Sequence, residues 1–452
     1  MRRTSRFPVA LALALAGTAV VSMALPIDAA YAQRAEKKGK KPKEGEAPAM
    51  ELSNEYRTAF SAAQTALAAD DLVTTEAKLN EAIAIAVSPD EKYLGGKLQL
   101  QLGLKNKNEA LQMKGVEMAL ASGKATPAEL KTFNSFVGEK ALVAGDFGRA
   151  RTYLTAAVQA GQTNSVNLFQ LAEAHFGEAI AKSGGKSIDA ANSPLAAQGL
   201  PYLKQAVDAD LAGNKQYAAS WAKRGFQISR ATKSDTTAWA QLLLRADSGN
   251  RAWNDVVRAV QGDNRNFTSE QTLDAMRLLR MTGGLTSAND YKEYIEAAGA
   301  ARRPTEVIAL IEEGKTAGIV TASDTYFKES LAAANSSRGE YVSTLPDSVR
   351  DSRGKATPTV TLATADALLA NKQYAEAEEI AGVALTKGVE DKERAMMVQA
   401  IAQIAQGKYE PAKQVLTGIT GVRAPLAKLW VLYADQKSGA AAPAAPAAAP
   451  AT

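Results

Sequence analysis

The chain has 452 residues, of which 46% are hydrophobic and 6% aromatic, and it contains no cysteine. The apolar content is ample for a core, but its bias toward alanine suits close helix–helix approach rather than a β-sandwich. The missing cysteines exclude a disulfide framework, a lipoprotein anchor and zinc sites built on Cys and His. The formal charge of +5 resides wholly in residues 1–50, so residues 51–452 sum to zero and offer nucleic acid no electrostatic footprint.

The N-terminus reads as a secretory signal over residues 1–32. "MRRTSRF" is a basic n-region, Val9 to Leu25 an apolar h-region, and Ala30–Tyr31–Ala32 a small-x-small site with cleavage before Gln33. The competing reading is an uncleaved anchor, but the apolar run of 17 residues is at the short edge for spanning a bilayer. Arg2–Arg3 leaves Sec and twin-arginine export both open. No later run is long enough to span, so the expected product is exported, periplasmic or secreted, with no stable membrane insertion after cleavage. Residues 33–50 are rich in Lys, Glu, Gly and Pro and read as a basic disordered linker. It can be a solvated spacer, or an arm in weak contact with an anionic envelope surface.

Beyond it lies a recurring pattern. Phe147, Ala150, Leu154 and Ala157 stand at offsets of 0, 3, 7 and 10, which is one face of a helix. Tyr374, Ala377, Ala381 and Ala384 repeat the offsets, as do Tyr409, Ala412, Leu416 and Ile419, and Leu72, Thr75, Leu79 and Ala82. Turn-like residues precede most of them, such as "GDF" at 145–147 and "GKY" at 407–409, and an apolar segment precedes each turn. The unit is therefore helix–turn–helix. Tyr374 and Tyr409 are 35 residues apart, and Leu72 and Phe147 are 75, close to two such steps, with a looser unit between them around "KNEALQMKGVEMAL". Two helices per 34 or so residues is the period of an α-solenoid. The pattern resembles the tetratricopeptide (TPR) family, whose small-residue and aromatic positions are matched by Gly138, Gly145, Phe147, Ala150 and Ala157, and in later units by Tyr374, Ala377, Ala384, Tyr409 and Ala412. The resemblance implies an all-α fold, a right-handed superhelix of stacked helix–turn–helix repeats, and the binding of peptides or protein segments on its concave surface.

The middle is less regular. Ser183 to Leu195 reads as an inserted loop, followed by helices around "GLPYLKQAVDADL", "TTAWAQLLLRA", "WNDVVRAVQ", "SEQTLDAMRLLRM", "NDYKEYIEAAGAA" and "RPTEVIALIEEGKTAG". Ser336 to Pro358 reads as a break, which would separate an N-terminal array at 51–345 from C-terminal repeats at 358–437; a continuous array is the alternative. Residues 438–452 are an Ala/Pro-rich disordered tail.

Chemistry is sparse. The one histidine, His175, falls one 34-residue period after Ala141, on the packing side of a first helix, and no G-x-S-x-G accompanies it. "GGKS" at 184–187 lacks the strand and upstream glycine of a phosphate-binding loop. Adjacent carboxylates, Glu312–Glu313 and Glu378–Glu379, point to different parts of a helix surface and read as solvated. Trp221, Trp239, Trp253 and Trp430 read as core rather than partner anchors. No residue is assigned a catalytic, cofactor-binding or metal-binding role, no cofactor is expected, and no partner-binding position is singled out. The sequence thus reads as a non-catalytic scaffold or adaptor of the bacterial cell envelope, not an enzyme, with envelope proteins or peptides as partners. The alternative is a helical component, or activator, of a cell-wall-active enzyme.

Overall fold

A computed structural model of the chain describes residues 50–439. The expected signal at 1–32, all but the last residue of the expected linker at 33–50, and the expected tail at 438–452 from residue 440 on lie outside the described residues. Among the described residues 75% are helical and none is in a strand, and the helices pack against their neighbours in sequence, the arrangement of an all-α helical repeat protein. Two compact units follow from the packing, divided after Ala181.

In the first unit, α1 (Asn54–Ala68) and α2 (Leu72–Ile85), α3 (Pro89–Lys105) and α4 (Glu109–Ala121), and α5 (Pro127–Val143) and α6 (Phe147–Gln159) form three consecutive pairs, and α7 (Ser165–Lys182) follows. The turn inside each pair is closed by a residue in the left-handed region: Asp70 at φ 61°, Lys107 at φ 56° and Gly145 at φ 76°. These positions are 37 and 38 residues apart, so the looser middle unit is a full pair in register with its neighbours. The first helices start alike. Ser88–Pro89 and Thr126–Pro127 each place a proline where its missing N–H costs nothing, and Glu91 and Glu129 complete a capping box. Those two glutamates also join one pair to the next. Tyr56 Oη donates to the carbonyl of Glu91 at 2.7 Å, and Tyr93 Oη donates to the carboxylate of Glu129 at 2.7 Å. Burial works against the Glu91 carboxylate, but the backbone N–H groups of Ser53, Ser88 and Val87 outweigh it and hold its pKa down to about 2.

Small residues set the spacing. Ala150, Leu154 and Ala157 are fully buried, as are Thr75, Ala82, Ala377, Ala381, Ala384 and Ala412. A Cβ on Gly138 would lie 2.6 Å from Leu154, and one on Gly177 would lie 2.3 Å from the ring of Phe147. Tyr374 and Tyr409 are half-buried at the starts of their helices.

The second unit begins in the Gly/Ser-rich loop, where Gly184 and Gly185 take φ 85° and 80°. Its helices are α8 (Ser193–Ala197), α9 (Leu200–Ala212), α10 (Ala218–Ala231), α11 (Thr236–Ala246), α12 (Asn250–Asp263), α13 (Ser269–Thr282), α14 (Ala288–Ala298) and α15 (Pro304–Thr316). They continue as α16 (Thr325–Ser343), α17 (Leu345–Arg353), α18 (Pro358–Ala370), α19 (Tyr374–Thr386), α20 (Lys392–Ala405), α21 (Tyr409–Thr417) and α22 (Ala424–Ser438). Residues 336–358, read from composition as a break between arrays 51–345 and 358–437, are mostly α16 and α17. The segment holds polar residues that a helix tolerates, and Lys387 fixes its end by donating to the carbonyls of Ser352, Gly354 and Ala356 at 2.8, 3.0 and 2.8 Å. The C-terminal helices belong to the same compact unit as the middle ones. Helix α22 packs on α11, α12 and α13, with Tyr433 Oη donating to Met281 O at 3.2 Å and Gln436 Nε2 to Leu244 O at 3.1 Å.

All four tryptophans, Trp221, Trp239, Trp253 and Trp430, are buried and lie in this unit, so tryptophan fluorescence reports on it alone. A Cβ on Gly225 would lie 2.0 Å from the Trp239 ring, whereas one on Gly339, exposed within α16, would meet nothing within 4 Å. Gly225→Ala is expected to destabilise the unit by about 1–3 kcal/mol through overpacking, and Gly339→Ala to stabilise it by about 0.5–1 kcal/mol by restricting the unfolded chain. Urea unfolding followed by tryptophan fluorescence checks both signs.

Candidate functional site

The second unit buries a cluster of charges that no helical pattern demands. At its centre is Asp366 on α18. Its carboxylate accepts from Arg277 Nη1 of α13 at 2.9 Å, from Arg303 Nε at the start of α15 at 2.7 Å, and from Arg394 Nη2 of α20 at 3.2 Å. Arg277 turns its other edge to Glu306 of α15 in a bidentate pair at 2.9 and 2.8 Å, and Tyr294 Oη of α14 donates to the same carboxylate at 2.8 Å. The side chains of Arg277, Glu306 and Asp366 are each 5% exposed. Nearby, Arg423 ahead of α22 donates through Nε to Asp274 of α13 at 3.0 Å and through Nη1 to Asp391 at 2.9 Å.

Burial sets these carboxylates against their arginines, and the outcome differs by site. At Asp366 burial raises the pKa, but Arg277, Arg303 and Arg394 outweigh it and hold the group well below the usual range. At Glu306 burial is likewise outweighed, chiefly by Arg277. At Asp274 burial wins over Arg423 and Arg277, with Asp366 adding to it, and the carboxyl is pushed up to about 6.

A cleft of about 290 Å³ opens beside the cluster. Arg277, Arg280, Tyr294, Glu306, Glu313, Lys372 and Tyr374 supply its polar wall, and Met281, Leu369, Ala370, Ile401 and Ala405 the apolar remainder. Arg280 grips Glu313 through Nε and Nη2 at 2.8 and 2.6 Å. Glu306 accepts three donors from Arg277 and Tyr294 and is held ionised, so it is poorly placed to act as a proton acceptor. The arrangement is suited to binding rather than to proton transfer.

The residues singled out from sequence fall elsewhere, with two exceptions. Gly138, Gly145, Phe147, Ala150 and Ala157 lie at helix contacts of the first unit, and Ala377, Ala384 and Ala412 at those of the second. Tyr374 and Glu313 border the cleft. His175 is 5% exposed in α7, matching Ala141, also 5%, one period earlier. Glu313 and Glu379, read as solvated, are exposed yet each grips an arginine, Arg280 and Arg353. Glu378 differs more. It accepts from Gln403, Gln406 and Lys408 at 3.1, 2.8 and 2.7 Å and ties α19 to the next pair. Sequence reasoning missed the arginine cluster, since its partners Arg277 and Asp366 are 89 positions apart. Among the described residues no group of His, Cys, Asp and Glu could hold a metal ion, and no helix is long and apolar enough to cross a membrane. No family model matches the chain, and no curated protein matches it.

Two outcomes are expected of the cluster. Asp366→Asn should destabilise the second unit by roughly 3–5 kcal/mol, because it leaves buried arginines short of a counter-charge, measured by urea unfolding with tryptophan fluorescence. The pH dependence should have two limbs. Asp274, with its folded pKa near 6 and an ordinary value of 3.8, takes up a proton in the folded state first, so stability rises as pH falls from about 6 toward 4. Asp366 and Glu306, with lowered folded values, lose their contribution once the unfolded chain protonates, so stability falls below about pH 4. Asp274→Asn should flatten the upper limb while leaving the lower one.

Proposed function

We propose that the protein is a non-catalytic scaffold or adaptor of the bacterial cell envelope, built from tetratricopeptide-like helix pairs, exported by its N-terminal signal, and binding envelope proteins or peptides. The observation that carries this reading is the recurrence in the first unit. Three helix pairs follow one another with their turns at Asp70, Lys107 and Gly145, and at both junctions a tyrosine of one pair donates to the capping glutamate of the next, to its backbone carbonyl at Glu91 and to its carboxylate at Glu129. Such repetition places equivalent outer side chains of successive pairs next to one another, which builds an extended surface rather than a single pocket. The step of 35 residues between the left-handed turns at Lys372 and Gly407 lies close to the tetratricopeptide period, and the longer steps of 37 and 38 in the first unit fit the same plan with extra residues.

The period also designs the test. Lys92 on α3 and Leu130 on α5 are equivalent exposed positions of first helices, and Val73 on α2 and Ala110 on α4 are equivalent exposed positions of second helices. A photo-crosslinking residue placed at each, in the full chain in cells, should capture one and the same protein partner from both members of one set. Recovery of glycan alone, or captures that do not repeat between equivalent positions, would overturn the proposal.

A further inference from the structure

The cleft of the second unit has a chemistry of its own, separate from the repeated helix faces. Its wall carries three cations, Arg277, Arg280 and Lys372, against two carboxylates, Glu306 and Glu313. Both carboxylates are committed to arginines. Lys372 makes no ion pair or side-chain hydrogen bond among the described residues, and neither Arg280 Nη1 nor Tyr374 Oη has a partner there. Arg280 and the backbone of Lys372 are held in place. Arg280 is oriented by its bidentate grip on Glu313. Lys372 sits in the left-handed turn between α18 and α19 at φ 62°, its N–H bonded to Leu369 O at 3.0 Å. The same lining includes apolar surface, formed by Leu369, Ile401 and Ala405.

From this geometry we propose that the cleft binds a small monocarboxylate carrying a short apolar chain. The surplus of one cation suits a single negative charge. A phosphate dianion would meet Glu306 and Glu313 with no second free cation to offset the repulsion. The unspent donors of Arg280, Lys372 and Tyr374 are of the kind that bind a carboxylate by charge-assisted hydrogen bonds. The apolar side rewards a hydrocarbon chain, which a purely polar anion would leave in water. The volume of about 290 Å³ is at the small end of ligand pockets, which suits a small body such as a carboxylate of about eight carbons.

Isothermal titration of the full chain tests this with octanoate, octanamide and acetate as probes. Octanoate should bind, and octanamide and acetate should each bind at least tenfold more weakly. Lys372→Met, which keeps the apolar stem and removes the charge, should weaken octanoate at least tenfold, and Lys372→Arg should restore most of it. Lys372 is exposed and unpaired, so the urea midpoint by tryptophan fluorescence should stay unchanged in both variants. Absence of octanoate binding overturns the proposal. So does equal binding of octanamide, which would mean the cations are not used, or of acetate, which would mean the apolar side is not. Octanoate binding indifferent to Lys372→Met would place the ligand elsewhere and overturn it as well.

Discussion

Two helices can close only to the distance their smallest facing side chains allow, and in this chain that distance is very short. A Cβ on Gly96 would lie 2.6 Å from the carbonyl oxygen of Gly115, and one on Gly115 would lie 2.5 Å from the backbone nitrogen of Leu100. Backbone therefore meets backbone between α3 and α4. Around such contacts the core is filled by alanine and leucine, with Ala63, Ala82, Ala119, Ala150 and Ala157 buried to 1% or less. Each alanine buries little area, but close approach multiplies the number of van der Waals contacts along the helices. A chain without cysteine has no covalent staple to add, so packing alone must hold the fold.

The second unit adds a different constraint. Apolar faces alone allow a helix to slide or rotate among similar packings. A buried carboxylate that needs three guanidinium groups does not. Asp366 is satisfied only when α13, the start of α15 and α20 stand in one register, and Arg277 is satisfied only when Glu306 is also in place. Such a cluster contributes modest net stability, because desolvation offsets much of the attraction. Its effect here is to penalise every arrangement that leaves one member unpaired.

These two constraints differ in how far they can be read from sequence. The offsets of 3, 7 and 10 mark the buried face of a helix because they follow from helical geometry, and Ala150, Leu154 and Ala157 do lie fully buried. The turn signals were readable where glycine stood, as at Gly145, and less so where Lys107 or Lys372 occupies the same left-handed conformation without the usual residue. The capping boxes at Ser88–Glu91 and Thr126–Glu129 are a local signal that would have fixed the longer period of the first unit. Arg277 gave no such signal. In "DAMRLLRM" it is an ordinary polar residue of an amphipathic helix, and only the fold brings α18 against it. The same holds for the cleft, whose walls come from segments about 90 residues apart. Composition misjudged 336–358 because Ser, Arg, Asp and Gly read as a linker, whereas a carbonyl cage around Lys387 and the capped helices on either side give the segment a defined place.

The cleft and the cluster share Arg277, Glu306 and Tyr294, which ties the one to the other. The cleft is lined from α13, α14 and α15 and from α18, the turn into α19, the start of α19 and α20, so it exists only when the arginine cluster has closed these helices together. Any ligand of the cleft therefore binds the folded unit and not the open chain, and must stabilise it by mass action in proportion to its occupancy. Arg423 extends the dependence to the last helix. Through Asp274 it fastens the entry of α22 to α13, the helix that also supplies Arg277 and Arg280. The terminal helix is therefore part of the framework that positions the cleft, although it contributes none of its lining.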